Sequence, residues 1–286
     1  MSTVSETITP GQPPHIHHMD SPTAYQSAKF GMWLFLATEV LLFGGLFAAF
    51  AIFRFLYLDA FIEGCKNLNV WAGAINTAVL LGSSLTAALA VDAAQRGQND
   101  KLKNYLLITI GCGFIFLIIK YLEYSSKVSH GIFPGDFAQV LFFGGALIVV
   151  AFLLALAFEA FHYKEKSKYH ALVLITLAFV VLYFVLNYLI FLGPPAHSPG
   201  GHEQVWGTAE FNNQFKMFYG LYYCMTGLHA LHVIIGMAII FWVYRLAQRN
   251  RFSENYYGPV EISALYWHLV DLIWIYLFPL LYLVGR

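Results

Sequence analysis

Seven apolar stretches alternate with shorter polar segments along the 286 residues. They fall at 30–56, 70–95, 102–124, 137–162, 169–192, 217–246 and 261–284. Each reaches the roughly 20 residues that cross a bilayer as a helix. Backbone polar groups in hydrocarbon must be satisfied within their own segment, which makes each stretch a helix. The predicted fold is therefore all-α, a polytopic transmembrane bundle of seven helices. The same pattern divides the chain into a polar tail, 1–28, and a membrane domain, 29–286. Within that domain a helical hairpin at 137–192 turns over the basic run Lys164 to Lys168. A long loop follows at 193–215, where Pro194, Pro195, Pro199, Gly200 and Gly201 mark irregular backbone.

Composition sharpens this picture. Hydrophobic residues make up 59% of the chain and charged residues only 11%, against roughly 25% charged in soluble domains. The formal net charge is zero, so composition gives no reason to expect nucleic acid as a partner. The tail has no apolar core and does not read as a secretory signal. Three cysteines, Cys65, Cys112 and Cys224, are too widely spaced for a disulfide framework or a CxxC site. Lys and Arg set the orientation. With the N-terminus inside, ten basic residues fall on inner segments: Lys29, Arg96, Lys101, Lys103, Lys164, Lys166, Lys168, Arg245, Arg249 and Arg251. Lys66, Lys127 and Lys216 fall outside, with Arg54 and Arg286 at helix ends. The N-terminus is thus predicted cytoplasmic and the C-terminus outside.

Polar groups at membrane depth are costly and mark the places to look for function. Glu39 sits in mid-span with no basic residue one turn away. Its carboxyl is expected to be neutral or hydrogen-bonded across helices, as a proton relay or as a structural bond. Asn76 begins the run Asn76-Thr77-Ala78-Val79-Leu80-Leu81-Gly82-Ser83-Ser84, whose small and hydroxylated residues suit close helix packing. Lys120 and Glu123 are three apart and can pair, with Lys120 near enough to the interface to snorkel. Glu159 and His162 form a single ExxH pair, where a di-iron bundle needs two. His229 and His232 are three apart on one predicted helix, and His268 and Asp271 three apart on another. These four could form one buried network. Three intramembrane histidines could also ligate haem or copper, but the same spacing suits a hydrogen-bonded packing seam, and spacing alone does not decide.

Five of these segments, taken in order, resemble subunit III of the haem-copper respiratory oxidases. They are Gly31 to Phe47 with Thr38-Glu39-Val40; Leu68-Asn69 with Asn76 to Thr86; Gly113 to Tyr124 with Gly131-Ile132-Phe133; Thr226 to Gly236; and Trp267-His268-Leu269-Val270-Asp271. Together they cover roughly half the chain. Two features depart from the family pattern: only a polar tail precedes the Glu39 helix, where many members have two more helices, and Lys120 stands where Gln is usual. The 137–215 segment reads as an insertion into that pattern.

The resemblance implies a subunit with no catalytic residue and no metal or cofactor of its own. Haem and copper would sit in partner subunits I and II of a proton-pumping cytochrome c oxidase in a bacterial inner membrane. This chain would pack on subunit I, bind phospholipid, and support proton uptake and durability in turnover. A quinol-oxidising complex is a further candidate partner. Glu39, Asn76, Glu123, His229, His232, His268 and Asp271 would be its structural, proton-related or lipid-related polar positions. Two related alternatives are subunit III of a quinol oxidase and a nitric-oxide-reductase-associated homologue. Outside the family, a proton-coupled secondary transporter would use Glu39, Glu123 and Asp271 as coupling carboxyls.

Overall fold

A computed structural model describes residues 21–129 and 209–284. Among them are six α-helices and no strand: α1 Ser21–Leu56, α2 Leu58–Lys66, α3 Val70–Gln95, α4 Asn99–Ser129, α5 Ala209–Gln248 and α6 Gly258–Phe278. Five helical stretches are long and apolar enough to cross a membrane: Thr23–Leu56, Val70–Gln95, Asn99–Lys127, Asn213–Gln248 and Gly258–Leu283. They answer to five of the seven predicted spans. The predicted helices at 137–162 and 169–192, the Glu159/His162 pair and most of the 193–215 loop lie outside the described residues. All the packing considered below lies within the unit formed by residues up to Glu123 and from Asn213 onward.

Helix α3 matches its predicted bounds because both ends carry their own signals. The Asn69 side chain accepts hydrogen bonds from the backbone N–H of Trp71 (3.1 Å) and Ala72 (3.3 Å), satisfying two donors that a helix start leaves free. At the other end Gly97 adopts φ +67, the left-handed conformation that closes a helix most readily without a Cβ. Other helices overrun their apolar cores. α1 begins at Ser21, inside the stretch read as tail, and α5 begins at Ala209, inside the stretch read as loop. Nothing in Thr23-Ala24-Tyr25-Gln26-Ser27-Ala28 breaks a helix, so hydrogen bonding propagates beyond the apolar run. α6 ends at Phe278, just before Pro279, which has no N–H to donate, and the chain continues as a π-turn over Pro279–Leu283.

The short helix α2 was not predicted. Ala60, Phe61, Gly64 and Cys65 are buried along it, at a spacing that gathers them on one face. Phe61 packs edge-on against Phe50 of α1 (5.2 Å between ring centroids) and Phe218 of α5 (5.3 Å). A Cβ at Gly64 would run into the Phe218 ring, so the close approach of α2 and α5 depends on that glycine. Cys65 is fully buried, and burial pushes its thiol up to about 11. Thiolate is the reactive form, so at pH 8 little of it exists. A water-soluble maleimide is expected to leave Cys65 unlabelled in the folded protein and to label it in SDS. Mass spectrometry of the Cys65 peptide checks this, and rapid labelling of the native protein would contradict the packing.

Helix α6 is the core. Trp267, Val270, Trp274 and Leu277 are fully buried on it, and it packs against α3 and α1. The hydroxylated run of α3 is spent on this contact. Trp267 Nε1 donates to Ser83 Oγ at 2.9 Å, and Trp274 Nε1 donates to Thr77 Oγ1 at 3.0 Å. Glycines bring α4 and α5 onto the same tryptophan: a Cβ at Gly113 would meet Met237 and Trp267, and one at Gly236 would meet Trp267 and Tyr266.

Candidate functional site

The polar positions picked out along the sequence separate into three groups in the bundle. The first joins α1 to α5. His232 Nε2 lies 2.9 Å from Glu39 Oε2, and its Nδ1 lies 2.8 Å from the Leu228 carbonyl. A carbonyl only accepts, so Nδ1 carries a proton. The contact between Nε2 and the carboxyl then requires one further proton, held either by Glu39 or by the imidazole. In both arrangements the pair is electrically neutral, which suits a site surrounded by apolar side chains. Phe43 stands edge-on to the His232 ring at 5.3 Å. The expected cross-helix bond of Glu39 is present. Its partner could not be named from the sequence, because spacing within one helix does not say which neighbour it faces.

The second group lies on α3 and α6. Ser84 Oγ and His268 Nδ1 are 2.6 Å apart. Asp271, one turn along, is buried, and its Oδ1 has no hydrogen-bond partner among the described residues. The third group lies where α4 approaches its C-terminal end. Lys120 Nζ is 2.9 Å from Glu123 Oε2 and donates to the Tyr282 hydroxyl at 2.6 Å. Tyr282 donates in turn to the Glu123 carboxylate (2.8 Å), and Tyr222 donates to the same Oε1 at 3.0 Å. The ammonium also sits 4.7 Å from the centroid of the Trp274 ring, close enough for cation–π attraction.

Two sequence expectations change here. Lys120 does not snorkel: the pair is enclosed, with side-chain exposures of 4% and 3%. Tyr222, Tyr282 and Trp274, from α5, the π-turn and α6, close around an ammonium that has an ionic partner one turn away. The four residues His229, His232, His268 and Asp271 do not form one network either. His232 turns to α1, whereas His229 stacks on Trp274 of α6 (5.3 Å) and meets Phe116 of α4 (5.4 Å). A step of three residues rotates a side chain by about 60° around a helix, enough in a crowded bundle to give two histidines different neighbours. Neither ring nitrogen of His229 has a hydrogen-bond partner among the described residues, nor has the buried amide of Asn76. No group of three His, Cys, Asp or Glu side chains is placed to hold a metal ion among the described residues.

A further contact has no counterpart in the sequence expectations. At the start of α6, Glu261 accepts from Lys29 at 2.7 Å and from the Tyr25 hydroxyl, tying the first turns of α1 to α6. The bias of Lys and Arg along the sequence gives Lys29 only an orienting role. An acid in the first turn of a helix was the available signal for this latch.

The family model described as cytochrome c oxidase subunit III matches residues 15–192 and 203–286. The chain belongs to the cytochrome c oxidase subunit III family. The match runs through the predicted hairpin and breaks only at 193–202, within the predicted loop. Among its relatives, cytochrome c oxidase subunit 3 of Synechocystis sp. is 25% identical over 284 residues, 99% of this chain and 84% of the relative. The Thermostichus vulcanus protein of that name is 23% identical, over 90% of this chain and 87% of its own. That of Corynebacterium diphtheriae is 24% identical, over 89% and 86%. As a member of the subunit III family, the chain is a multi-pass membrane protein of the respiratory oxidase class, and five helical stretches among its described residues are long and apolar enough to span a membrane.

Proposed function

We propose that this chain is a non-catalytic, integral membrane subunit of a proton-pumping terminal oxidase of the cytochrome c oxidase type. It packs on a haem-copper subunit I alongside subunit II, in a bacterial inner membrane. The observation that supports this most strongly is the subunit III match, which spans nearly the whole chain. The side-chain chemistry agrees: Glu39 meets His232, Ser84 meets His268, and the Lys120–Glu123 pair of α4 meets Tyr222 and Tyr282, so these groups are engaged in holding helices together. Haem and copper belong to the partner subunits in this reading, and phospholipid fills the lipid-facing surface. Seven spans, with the N-terminus in the cytoplasm and the C-terminus outside, follow from the apolar pattern and the bias of Lys and Arg. Purification of the complex from native membranes, followed by identification of its chains and an optical spectrum, tests the proposal. A haem-copper subunit I should accompany this chain. Isolation without one would count decisively against it.

The neutral Glu39–His232 pair is proposed to support proton uptake by the complex during sustained turnover. Gln at position 39 can still donate to His232 Nε2 but holds no exchangeable acid proton. Glu39→Gln is therefore expected to leave the first turnovers of the assembled oxidase intact and to shorten its working life. Stopped-flow haem reduction compared with prolonged oxygen consumption would show this. Immediate loss of haem reduction in a complex shown to be assembled would contradict it.

A further inference from the structure

His229 and Asn76 are both fully buried, at 0% exposure. His229 lies in the span Asn213–Gln248 and Asn76 in Val70–Gln95. Neither ring nitrogen of His229 has a hydrogen-bond partner among the described residues, and neither has the oxygen or the nitrogen of the Asn76 amide. A neutral imidazole carries one donor and one acceptor, and a carboxamide carries two donors and an acceptor. Buried polar groups are nearly always satisfied, by protein or by ordered water. These two side chains therefore call for a partner that both gives and takes hydrogen bonds.

Both residues are tied to the surroundings of Trp274. His229 stacks on its ring at 5.3 Å. Asn76 directly precedes Thr77, whose hydroxyl accepts from Trp274 Nε1 at 3.0 Å. The polar groups nearby are spent on other bonds. The Trp274 N–H is taken by Thr77, and the Thr77 hydroxyl proton goes to the Gly73 carbonyl at 2.9 Å. One turn before His229, the Thr226 hydroxyl donates to the Tyr222 carbonyl at 2.6 Å. Phe116 meets His229 edge-on at 5.4 Å with a ring that carries no polar atom.

Enclosure narrows the class of ligand. At 0% exposure, neither residue is open to a lipid tail or to a side chain of another subunit. The Lys120 ammonium stands 4.7 Å from the same indole and is paired with Glu123 at 2.9 Å. That pair is already neutral, and an added ion without a counter-charge is costly to bury. Water is small, neutral, and both donor and acceptor. Buried waters typically make about three hydrogen bonds to groups that the protein leaves unsatisfied.

We propose that ordered water is bound inside the bundle beside Trp274, hydrogen-bonded to His229 and to Asn76. The site is internal to this chain and is the same whichever complex the chain joins.

A cryo-EM map of the full chain purified from native membranes, at a resolution that shows ordered water, tests the site directly. Peaks are expected at about 2.8–3.0 Å from a ring nitrogen of His229 and from the Asn76 amide. A map that lacks a peak beside one of the two residues, or that shows a protein side chain bonded there, would overturn the inference. Solid-state NMR of the full chain in lipid bilayers, with 15N-labelled histidine, reads the same site without a map. Magnetisation should pass from water to a ring-nitrogen signal that is absent in His229→Phe, and Asn76→Leu should weaken that transfer several-fold. No transfer to His229, or equal transfer with leucine at position 76, overturns the shared site. Thermal midpoints separate a hydrated site from a dry one by their sign. Replacing an unsatisfied polar group in a dry core by an apolar one of similar shape stabilises, whereas replacing one that holds water loses its bonds. His229→Phe and Asn76→Leu are each expected to lower the midpoint by a few degrees, and a rise in either one would overturn the proposal.

Discussion

Lys120→Met is expected to destabilise the bundle by about 3–5 kcal/mol, the usual cost of leaving one member of a buried ion pair without its partner. The magnitude follows from enclosure. Neither side chain reaches lipid or water to any extent, so in this variant the buried Glu123 carboxylate would keep its tyrosine donors and lose the ammonium 2.9 Å away. Glu123→Gln strands the ammonium instead, though Tyr282 and the Trp274 ring still hold it, and should cost somewhat less. Combining the two changes should cost clearly less than the sum of the single effects, because removing both charges removes the penalty that each alone creates. The measurement is a double-mutant cycle on denaturation midpoints of the reconstituted protein. Strict additivity would show that the 2.9 Å contact carries no coupling and would sink the prediction.

Gly236→Leu is expected to be the most disruptive single substitution on α5. A Cβ there lies 2.9 Å from Cε3 and 3.0 Å from Cζ3 of Trp267, and 3.1 Å from Cε1 of Tyr266. Trp267 is fully buried and its indole N–H is committed to Ser83, so the ring cannot retreat without breaking a bond across α3. Overpacking of this kind costs about 1–3 kcal/mol for a small excess of volume and more when several methylenes are added. Even Gly236→Ala should lower stability. Gly111→Ala, on the open side of α4 with nothing within 4 Å, should raise it by up to about 1 kcal/mol through helix propensity. Thermal midpoints of the two alanine variants should therefore move in opposite directions. A shift of the same sign in both would show that the close approach at Trp267 is not what fixes α5.

The contrast between these two glycines shows what could be read along the chain and what could not. Both sit in apolar runs with similar neighbours, and only the packing tells one that touches Trp267 from one that touches nothing. The bounds of α3 were legible because Asn69 and Gly97 act locally. α2 was not, because nine residues with one apolar face carry too little pattern to stand out between two long helices. Glu39 announced a cross-helix bond through its cost alone, but the identity of His232 depended on how α1 and α5 are rotated. Lys120 was expected to extend toward the interface, a fair default for a long cationic side chain. The aromatic residues that enclose it come from α5, α6 and the π-turn, and no local rule would have gathered them.

The order of helices along the chain has a consequence for biogenesis. α6 supplies the indoles and the imidazole that engage Thr77, Ser83 and Ser84, and the carboxylate that engages Lys29 and Tyr25, yet it leaves the ribosome after every other described helix. Until it emerges, hydroxyls already threaded into the bilayer have no indole to meet. A nascent chain stalled before Gly258 would display them to whatever insertase or quality-control protease is at hand, and delivery of α6 would be the step that withdraws them.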